Sequence, residues 1–377
     1  MSRVFDLTCE LTAIRSITPD DAGCQKLLAE RLLPLGFSVE WFLCGDVSNV
    51  LFTRGQGSPS LWFLGHTDVV PTGPEALWTF LPFHPGEKEG QLYGRGVADM
   101  KGAVAAMVVA LETFAAQHPD HRGQIGLLLT SDEEGDAVDG IVRVAEEMRY
   151  RGTRPDFCLV GEPSSQDLLG DTIRIGRRGS IHARLQVNGI QGHTAFPQQL
   201  DNPVHRIAPF VQELTEIEWD EGDDDFPASH CQVACIRGGT GARNVTPASV
   251  ELLVNFRNGP ESPPDALQTR FEALLKKHDI GNYDLEWLVM GEPFRSPPGR
   301  LREAAVTAVK ELLNVDPILN TGGGTSDGRY IAPLGSEVVE LGLINSSIHQ
   351  IDERTPVADL DRLHATYYDI IRRVLSL

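Results

Sequence analysis

Short apolar segments that end in glycine or a polar residue constrain the fold of this chain more than any other feature. Residues 61–65, 124–130 and 157–160 are nearly continuous apolar runs, and helical patterns at 101–116 and 139–150 lie between them. Strands have this composition when both of their faces are buried, as in a parallel sheet with helices on each side. We therefore predict an α/β fold with a mostly parallel sheet flanked by helices.

The pattern changes near residue 178 and changes back near residue 293. Between these points apolar and polar residues alternate, which is typical of a sheet with one face in water. The elements predicted there are strand 181–187, helix 203–216, strands 230–237 and 248–257, helix 263–277 and strand 283–289. This β-α-β-β-α-β order is the ferredoxin-like motif. We predict an inserted α+β domain at 178–292 and a discontinuous larger domain of residues 1–177 and 293–377.

The larger domain carries the remaining predicted elements. They are helices 4–16, 22–35, 300–313 and 357–376, strands 37–43, 49–53 and 337–341, and loops at 71–85 and 321–328. Because this domain is discontinuous, its C-terminal part must fold back onto the sheet that the N-terminal part forms.

Composition limits which classes of molecule the protein is expected to bind. A length of 377 residues favours two domains. A net charge of -20 argues against binding to nucleic acid or to an anionic membrane by bulk electrostatics. No signal-like segment opens the chain, and no apolar run approaches the ~20 residues that a membrane span needs. The six cysteines are scattered without metal-site or redox spacing, which favours reduced thiols in a cytoplasmic protein.

Six polar side chains follow the predicted strands or precede a predicted helix: His66, Asp68, Asp99, Glu133, Glu134 and Glu162. The carboxyl ends of parallel strands meet at one sheet edge, where α/β proteins place their functional groups. Each side chain also has a plainer interpretation, because Asp99 suits a helix N-cap and the others suit polar turns or solvated loops. Buried like charges are costly unless they are paired or bind a cation. Oxygen ligands with a few imidazoles suit Zn²⁺, Co²⁺ or Mn²⁺.

His66 and Asp68 form a His-x-Asp pair at the end of the first apolar strand. Residues two apart on an extended segment point the same way. His66 can therefore offer one ring nitrogen to a metal while the Asp68 side chain accepts from the other. Alone, this short motif favours a polar turn, and only the other candidates make a metal site the better interpretation.

Taken in order, the motifs resemble those of the peptidase M20 family of dinuclear metallohydrolases. The resemblance covers nearly the whole chain. The matching segments are GHTDVVP at 65–71, GRGVADMKG at 94–102, TSDEE at 130–134, GEPS at 161–164, GRRGS at 176–180, GH at 192–193, GGTGARNV at 238–245, GGGTSDGR at 322–329 and NSSIH at 345–349. The arginine pair and the glycine-rich loop narrow the resemblance to members that remove a succinyl group.

The resemblance implies two divalent metal ions per subunit, Zn²⁺ or Co²⁺. One ion would be held by His66, Asp99 and Glu162, and the other by Asp99, Glu134 and His349, with Asp99 as the bridge. Asp68 would orient His66, and Glu133 would act as general base and acid. A cis peptide bond would follow the bridging aspartate, between Asp99 and Met100.

The inserted domain carries further residues to which the resemblance gives roles. His193 would reach the active site of the partner subunit and stabilise the oxyanion, in a homodimer formed through 178–292. The residues implied in substrate binding are Arg178, Asn244, Arg257, Gly324, Thr325 and Asn345. Arg177 would only support its turn, and Phe196 stands where related proteins have Tyr.

The activity implied is hydrolysis of the amide of N-succinyl-LL-2,6-diaminopimelate, in lysine and diaminopimelate biosynthesis. Two other hypotheses remain open at this point. The chain could be another M20 deacylase, such as one that acts on acetylornithine, or a non-catalytic binding protein on the same fold. The full ligand set and the presence of Glu133 favour an enzyme.

Overall fold

The structure, a computed structural model, describes residues 2–376. Its strands are β1 (Ser38–Cys44), β2 (Val47–Gln56), β3 (Ser60–His66), β4 (Gly86–Lys88), β5 (Gln91–Tyr93), β6 (Gly123–Thr130), β7 (Phe157–Val160), β8 (Thr172–Arg174), β9 (Gly176–Arg177), β10 (Gly179–Asn188), β11 (His230–Gly238), β12 (Ser249–Asn258), β13 (Tyr283–Gly291), β14 (Phe294–Arg295), β15 (Ile318–Asn320), β16 (Glu337–Glu340) and β17 (Arg354–Pro356).

The α-helices are α1 (Arg3–Thr12), α2 (Cys24–Leu32), α3 (Lys101–Gln117), α4 (Ile141–Arg151), α5 (Pro203–Glu216), α6 (Pro264–Lys277), α7 (Arg300–Ala308), α8 (Gly328–Ile331) and α9 (Val357–Leu375). A π-helical turn, Val309–Leu313, follows α7. Within residues 2–376, no helix combines the length and the apolar character that a membrane crossing requires. All six cysteines are free thiols.

The chain divides into two compact units. The first contains the chain up to Gly176, Ser296–Asn320, and everything from Ser326 onward. The second contains Arg177–Arg295 together with Thr321–Thr325. The sequence did not predict that the first part of the glycine-rich loop would group with the inserted segment.

An eight-stranded sheet organises the first unit, in the order β1-β2-β6-β3-β7-β16-β8-β15. The central strands β6, β3, β7 and β16 are parallel neighbours, whereas β1, β2 and β8 add antiparallel pairs toward the edges. In β3, Phe63 joins a core with α1, α3 and α9, and the oppositely directed Trp62 and Leu64 are also buried. The sheet is therefore covered on both faces, as its continuous apolar strands predicted.

The second unit is built on an antiparallel sheet in the order β11-β12-β10-β13. With α5 and α6 between the strands, this order is the ferredoxin-like arrangement predicted from the sequence. Alternate residues of β10, such as Ile181 and Leu185, lie in a core with Phe210 of α5 and Phe271 of α6. The intervening His182 and Arg184 are exposed, so one face of the sheet is polar as the alternation predicted.

Asp156 fixes the beginning of β3 through its side chain. The carboxylate accepts hydrogen bonds from the Ser58 hydroxyl at 2.7 Å, from the Ser60 N–H at 2.9 Å and from the Ser60 hydroxyl at 3.1 Å. Burial alone would raise the pKa of Asp156, but these hydrogen bonds outweigh burial and lower the pKa. A lowered pKa in the folded state means that the carboxylate contributes stability above the usual aspartate pKa, and loses it as the pH falls through the folded value.

We expect Asp156→Asn to lower the free energy of unfolding by about 1–2 kcal/mol at neutral pH, because charge-assisted hydrogen bonds become neutral ones. Urea unfolding followed by circular dichroism at pH 7 and near pH 3.5 measures this difference. The gap between wild type and variant should narrow at the lower pH, because pH 3.5 lies below the usual aspartate pKa and the unfolded wild-type chain already binds the proton there. An equal gap at both pH values would contradict the role given to the ionised side chain.

Candidate functional site

Three neighbouring parallel strands bring most of the candidate ligands to one edge of the large sheet. His66 is the last residue of β3, Glu133 and Glu134 follow β6, and Glu162 follows β7. Asp99 stands two residues before the start of α3. Because β6, β3 and β7 run in the same direction, their carboxyl ends meet and their polar side chains converge.

His66 lies at the centre of this group and is buried. Its Nε2 atom is 3.3 Å from Asp99 Oδ1 and 3.7 Å from Glu162 Oε1. Burial alone would lower the pKa of His66, but the Asp99 hydrogen bond and the Glu162 carboxylate raise it well above its usual value. The Nε2 atom therefore faces a concentration of negative charge.

Asp68 differs from its predicted geometry. The atom that accepts from His66 Nδ1 is the main-chain carbonyl of Asp68, at 2.9 Å, whereas the nearest carboxylate oxygen is 3.6 Å away. The carboxylate instead accepts from the backbone N–H groups of Glu133, at 3.4 Å, and Glu134, at 3.1 Å. The sequence prediction was thus wrong about the atom that orients His66, because a main-chain acceptor leaves no sequence signal. The Asp68 side chain fixes the turn that carries the two glutamates.

His349 approaches the same group from the C-terminal part of the chain. Its Nε2 atom is 2.9 Å from Glu134 Oε1 and 3.3 Å from Asp99 Oδ2. The two oxygens of Asp99 therefore face different imidazoles, with Oδ1 toward His66 and Oδ2 toward His349. Burial raises the pKa of Asp99, but hydrogen bonds from both histidines lower it below the usual range. The Asp99–Met100 peptide bond is cis, as predicted.

Two groups of three residues place their potential ligand atoms within 4.8 Å of one another. One is His66, Glu133 and Glu162, and the other is His66, Asp99 and Glu134. Burial raises the pKa of both Glu133 and Glu134, and neighbouring carboxylates raise each pKa further. Crowded, buried carboxylates of this kind are stabilised by a cation. Imidazole nitrogen and carboxylate oxygen form a donor set that fits Zn²⁺, Co²⁺ or Mn²⁺.

Two buried carboxylates near the group were not predicted from the sequence. Both oxygens of Asp327 are buried and have no hydrogen-bond partner within residues 2–376, and burial raises the pKa of Asp327 to about 7. Glu353 is also buried, and its carboxylate contacts the loop that leads to Asp99. Asp327 lies in the glycine-rich motif at 322–329, but the sequence of that motif does not indicate that its single acidic residue is buried.

Asn345 is the only predicted substrate residue in the first unit. Its side-chain amide nitrogen is 3.4 Å from the carbonyl oxygen of Pro163, the residue after Glu162. Its backbone N–H donates to the Ser165 carbonyl at 3.0 Å. These contacts hold Asn345 beside the segment that carries Glu162.

In the second unit, Arg178 and Arg257 are half-buried, and burial lowers the pKa of both guanidinium groups. The positive charge of Arg257 lowers the pKa of Arg178 further. Guanidinium groups bind carboxylates and other anions through charge-assisted hydrogen bonds, so this part of the second unit suits an anion. Arg177 donates to the carbonyl oxygens of Gly322, at 3.3 Å, and Gly324, at 3.2 Å, and so supports the loop that also carries Thr325.

His193 and Asn244 are neighbours in the second unit, and both are exposed. The Asn244 amide is 3.4 Å from His193 Nε2, and a β-bridge joins His193 to Val245. The Ala195 N–H donates to His193 Nδ1 at 3.1 Å, so hydrogen-bond donors approach both ring nitrogens of His193. Phe196 contacts the His193 ring, with the centroids 5.7 Å apart. These contacts hold the exposed His193 ring beside Asn244 in the second unit.

Comparison with known proteins gives a consistent result. The model of peptidase family M20/M25/M40 matches residues 62–373. The chain is 50% identical over 376 residues to a succinyl-diaminopimelate desuccinylase of Xylella fastidiosa (strain M12), and 51% identical over 375 residues to one of Stenotrophomonas maltophilia (strain K279a). Each alignment covers 100% of both proteins.

Solved structures of more distant proteins share the fold. A metallo-carboxypeptidase of the M20 family from Sulfolobus solfataricus superposes with a TM-score of 0.81 at 16% identity, covering 100% of both chains. A dinuclear metal-binding peptidase of the M20 family from Bacillus subtilis superposes with a TM-score of 0.73 at 14% identity, covering 100% of this chain and 98% of that one. At these identities the likeness concerns the fold alone.

Proposed function

Because the chain belongs to peptidase family M20/M25/M40, we propose that the group of histidines and carboxylates around His66 and Asp99 binds two divalent metal ions, and that the protein hydrolyses an amide bond. The substrate is N-succinyl-LL-2,6-diaminopimelate, and the products are succinate and LL-2,6-diaminopimelate. The observation that carries this assignment is identity of about half of all residues, over full length, to succinyl-diaminopimelate desuccinylases. The reaction belongs to lysine and diaminopimelate biosynthesis, and we place the enzyme in the cytoplasm.

Asp99 is the residue around which the two ions are assigned, because its two oxygens face two different histidines. We assign His66, Asp99 and Glu162 to one ion, and Asp99, Glu134 and His349 to the other, both as Zn²⁺. Glu133 lies within the same 4.8 Å group as His66 and Glu162. We prefer Asp99 to Glu133 as the ligand, since only Asp99 contacts both imidazoles. That choice leaves Glu133 beside the ion and free to exchange a proton.

Two divalent ions held by these five residues would lower the pKa of a water molecule and polarise the scissile carbonyl. Glu133 accepts a proton from the attacking water and delivers it to the amide nitrogen as the C–N bond breaks. The Asp68 carboxylate holds the Glu133 N–H and so fixes where the proton acceptor lies.

Recognition of the substrate uses the carboxylate groups that distinguish it from a simple acyl amino acid. We assign these groups to Arg178 and Arg257, whose guanidinium groups bind carboxylates in a bidentate manner. The other assigned contacts are the loop residues Gly324 and Thr325, with Asn244 and Asn345. The hydroxyl that Phe196 lacks would contribute one hydrogen bond, worth about 1 kcal/mol, so its absence does not alter the reaction.

We further propose that the protein is a homodimer formed through residues 178–292. In this arrangement His193 of one subunit donates a hydrogen bond to the oxyanion in the site of the other. The support within the chain is the exposed position of His193, whose ring is held by the Ala195 N–H at Nδ1 and lies beside the Asn244 amide.

Activity on N-succinyl-LL-2,6-diaminopimelate, with and without a chelator, tests the proposed function. We expect hydrolysis that a strong chelator abolishes and that added Zn²⁺ restores, because the ions supply charge stabilisation worth several kcal/mol. Faster turnover of acetylornithine would instead support the other M20 deacylase. Unchanged activity in the chelator, or purified protein that takes up no metal and turns over neither substrate, would contradict a metal-dependent enzyme.

A further inference from the structure

Glu353 is a buried glutamate whose carboxylate accepts four hydrogen bonds. Its Oε2 atom accepts from the Arg95 guanidinium at 2.7 Å and from the Gly96 N–H at 3.0 Å. Its Oε1 atom accepts from the N–H groups of Ala98 at 3.0 Å and Asp99 at 3.1 Å. The residue is 1% exposed, so water does not compete for these contacts.

The donors belong to the short loop that leads from β5 into α3. Backbone N–H groups that point at one anion form a nest, and the anion fixes the shape of the loop that supplies them. The last of these N–H groups belongs to Asp99, whose side chain faces both histidines. The Glu353 carboxylate therefore determines where the main chain of Asp99 lies.

Glu353 is also close in sequence to His349, which lies four residues before it in the chain. The segment between them is closed by Ser347, whose hydroxyl donates to the Arg354 carbonyl at 2.8 Å and accepts from the Arg354 N–H at 3.0 Å. The Gly94 N–H also donates to the main-chain carbonyl of Glu353 at 3.0 Å. The segments of Asp99 and His349 are thus joined through Glu353.

We propose that Glu353 is a positioning residue that sets the separation of Asp99 and His349, and through it the affinity for the metal ion they share. This inference rests on the proposed function, because it requires that both residues bind metal. Glu353 does not contact the ion or the substrate. It acts through the main chain of one ligand and through the segment that carries the other.

A purely structural role is the alternative, since Arg95 is buried as well. The Arg95 guanidinium also lies 5.0 Å from the centre of the Trp78 ring and 3.3 Å from the Pro71 carbonyl. Removing the charge of Glu353 could therefore weaken the fold without any specific effect on metal binding. Glu112 provides a matched control, because it is a buried glutamate that accepts from Arg31 at 2.9 Å and from Arg3.

The test is to measure both zinc dissociation constants of the full chain by competition with a chelating indicator. We expect Glu353→Gln to weaken the binding of one of the two ions about 10- to 100-fold, and Glu112→Gln to change neither constant by more than about two-fold. Urea unfolding of the metal-free proteins shows whether the two variants lose similar stability. Glu353→Asp keeps the charge but moves it away by one methylene group, and it should weaken the binding of the same ion. This variant provides the test if the glutamine variant does not fold.

Unchanged zinc constants in a folded Glu353 variant would overturn the inference. An equal loss of zinc affinity in Glu112→Gln would also overturn it, because metal binding would then follow general stability. Wild-type protein that binds fewer than two ions would refute the proposed metal centre itself, and the positioning role with it.

Discussion

Replacing Glu133 by glutamine is expected to lower kcat by about 10²- to 10⁴-fold, the usual contribution of a general acid–base group. Glutamine has nearly the same shape as glutamate but cannot accept the proton of the attacking water. Glu133 is suited to this role because it lies within 4.8 Å of the ligand atoms of His66 and Glu162.

Zinc content and kcat, measured on the same preparations, distinguish loss of the proton acceptor from loss of the metal. The variant should keep the zinc content of the wild type, since Glu133 is not assigned as a ligand. Asp136→Asn is the matched control, because Asp136 is an exposed acid in the same loop, and its kcat should stay near the wild-type value. A Glu133→Gln enzyme with full zinc and more than about one-tenth of the wild-type kcat would remove Glu133 from the mechanism.

The longer elements were predictable because their signals are local. Helix α5 begins and ends at the predicted residues, with Asn202 as N-cap and Pro203 in the first turn, where its missing N–H costs nothing. The short strands β8 and β15 were missed because each has three residues, too few for a periodic pattern. Their pairing depends on a partner far along the chain, which single-sequence periodicity does not contain.

The candidate site likewise contains residues that local sequence signals predict and residues that they do not. Candidate ligands at strand ends were predictable from the strands, whereas His349 was implied only by the family resemblance. The structure brings His66, Asp99, Glu134, Glu162 and His349 together. The groups that hold the loops were not predictable, because they act through the main chain. Glu353 contacts the Asp99 N–H from 254 positions away, and nothing in a lone glutamate marks that bond. The acceptor for His66 Nδ1 was missed for the same reason, since every residue has a carbonyl.

Combining two inactive variants in one dimer is expected to restore activity if His193 serves the partner subunit. His193→Ala should lower kcat by about 10²- to 10³-fold, as the loss of one oxyanion donor does. In a mixed dimer with Glu133→Gln, the His193→Ala subunit keeps its own Glu133 and receives His193 from its partner. That dimer therefore has one complete site and should show about half of the wild-type activity.

The mixed dimer can be isolated by co-expressing the two variants with different affinity tags and purifying on both. His205→Ala, which changes an exposed histidine of α5 in the same unit, should retain activity by itself and controls for general effects on the unit. If His193 acts within its own subunit, neither site of the mixed dimer is complete and activity stays at the level of the single variants. A protein that remains monomeric at assay concentration and is fully active would exclude the exchange altogether. Recovery requires a donor on one chain and a proton acceptor on the other to meet at one carbonyl, which a monomeric site does not allow.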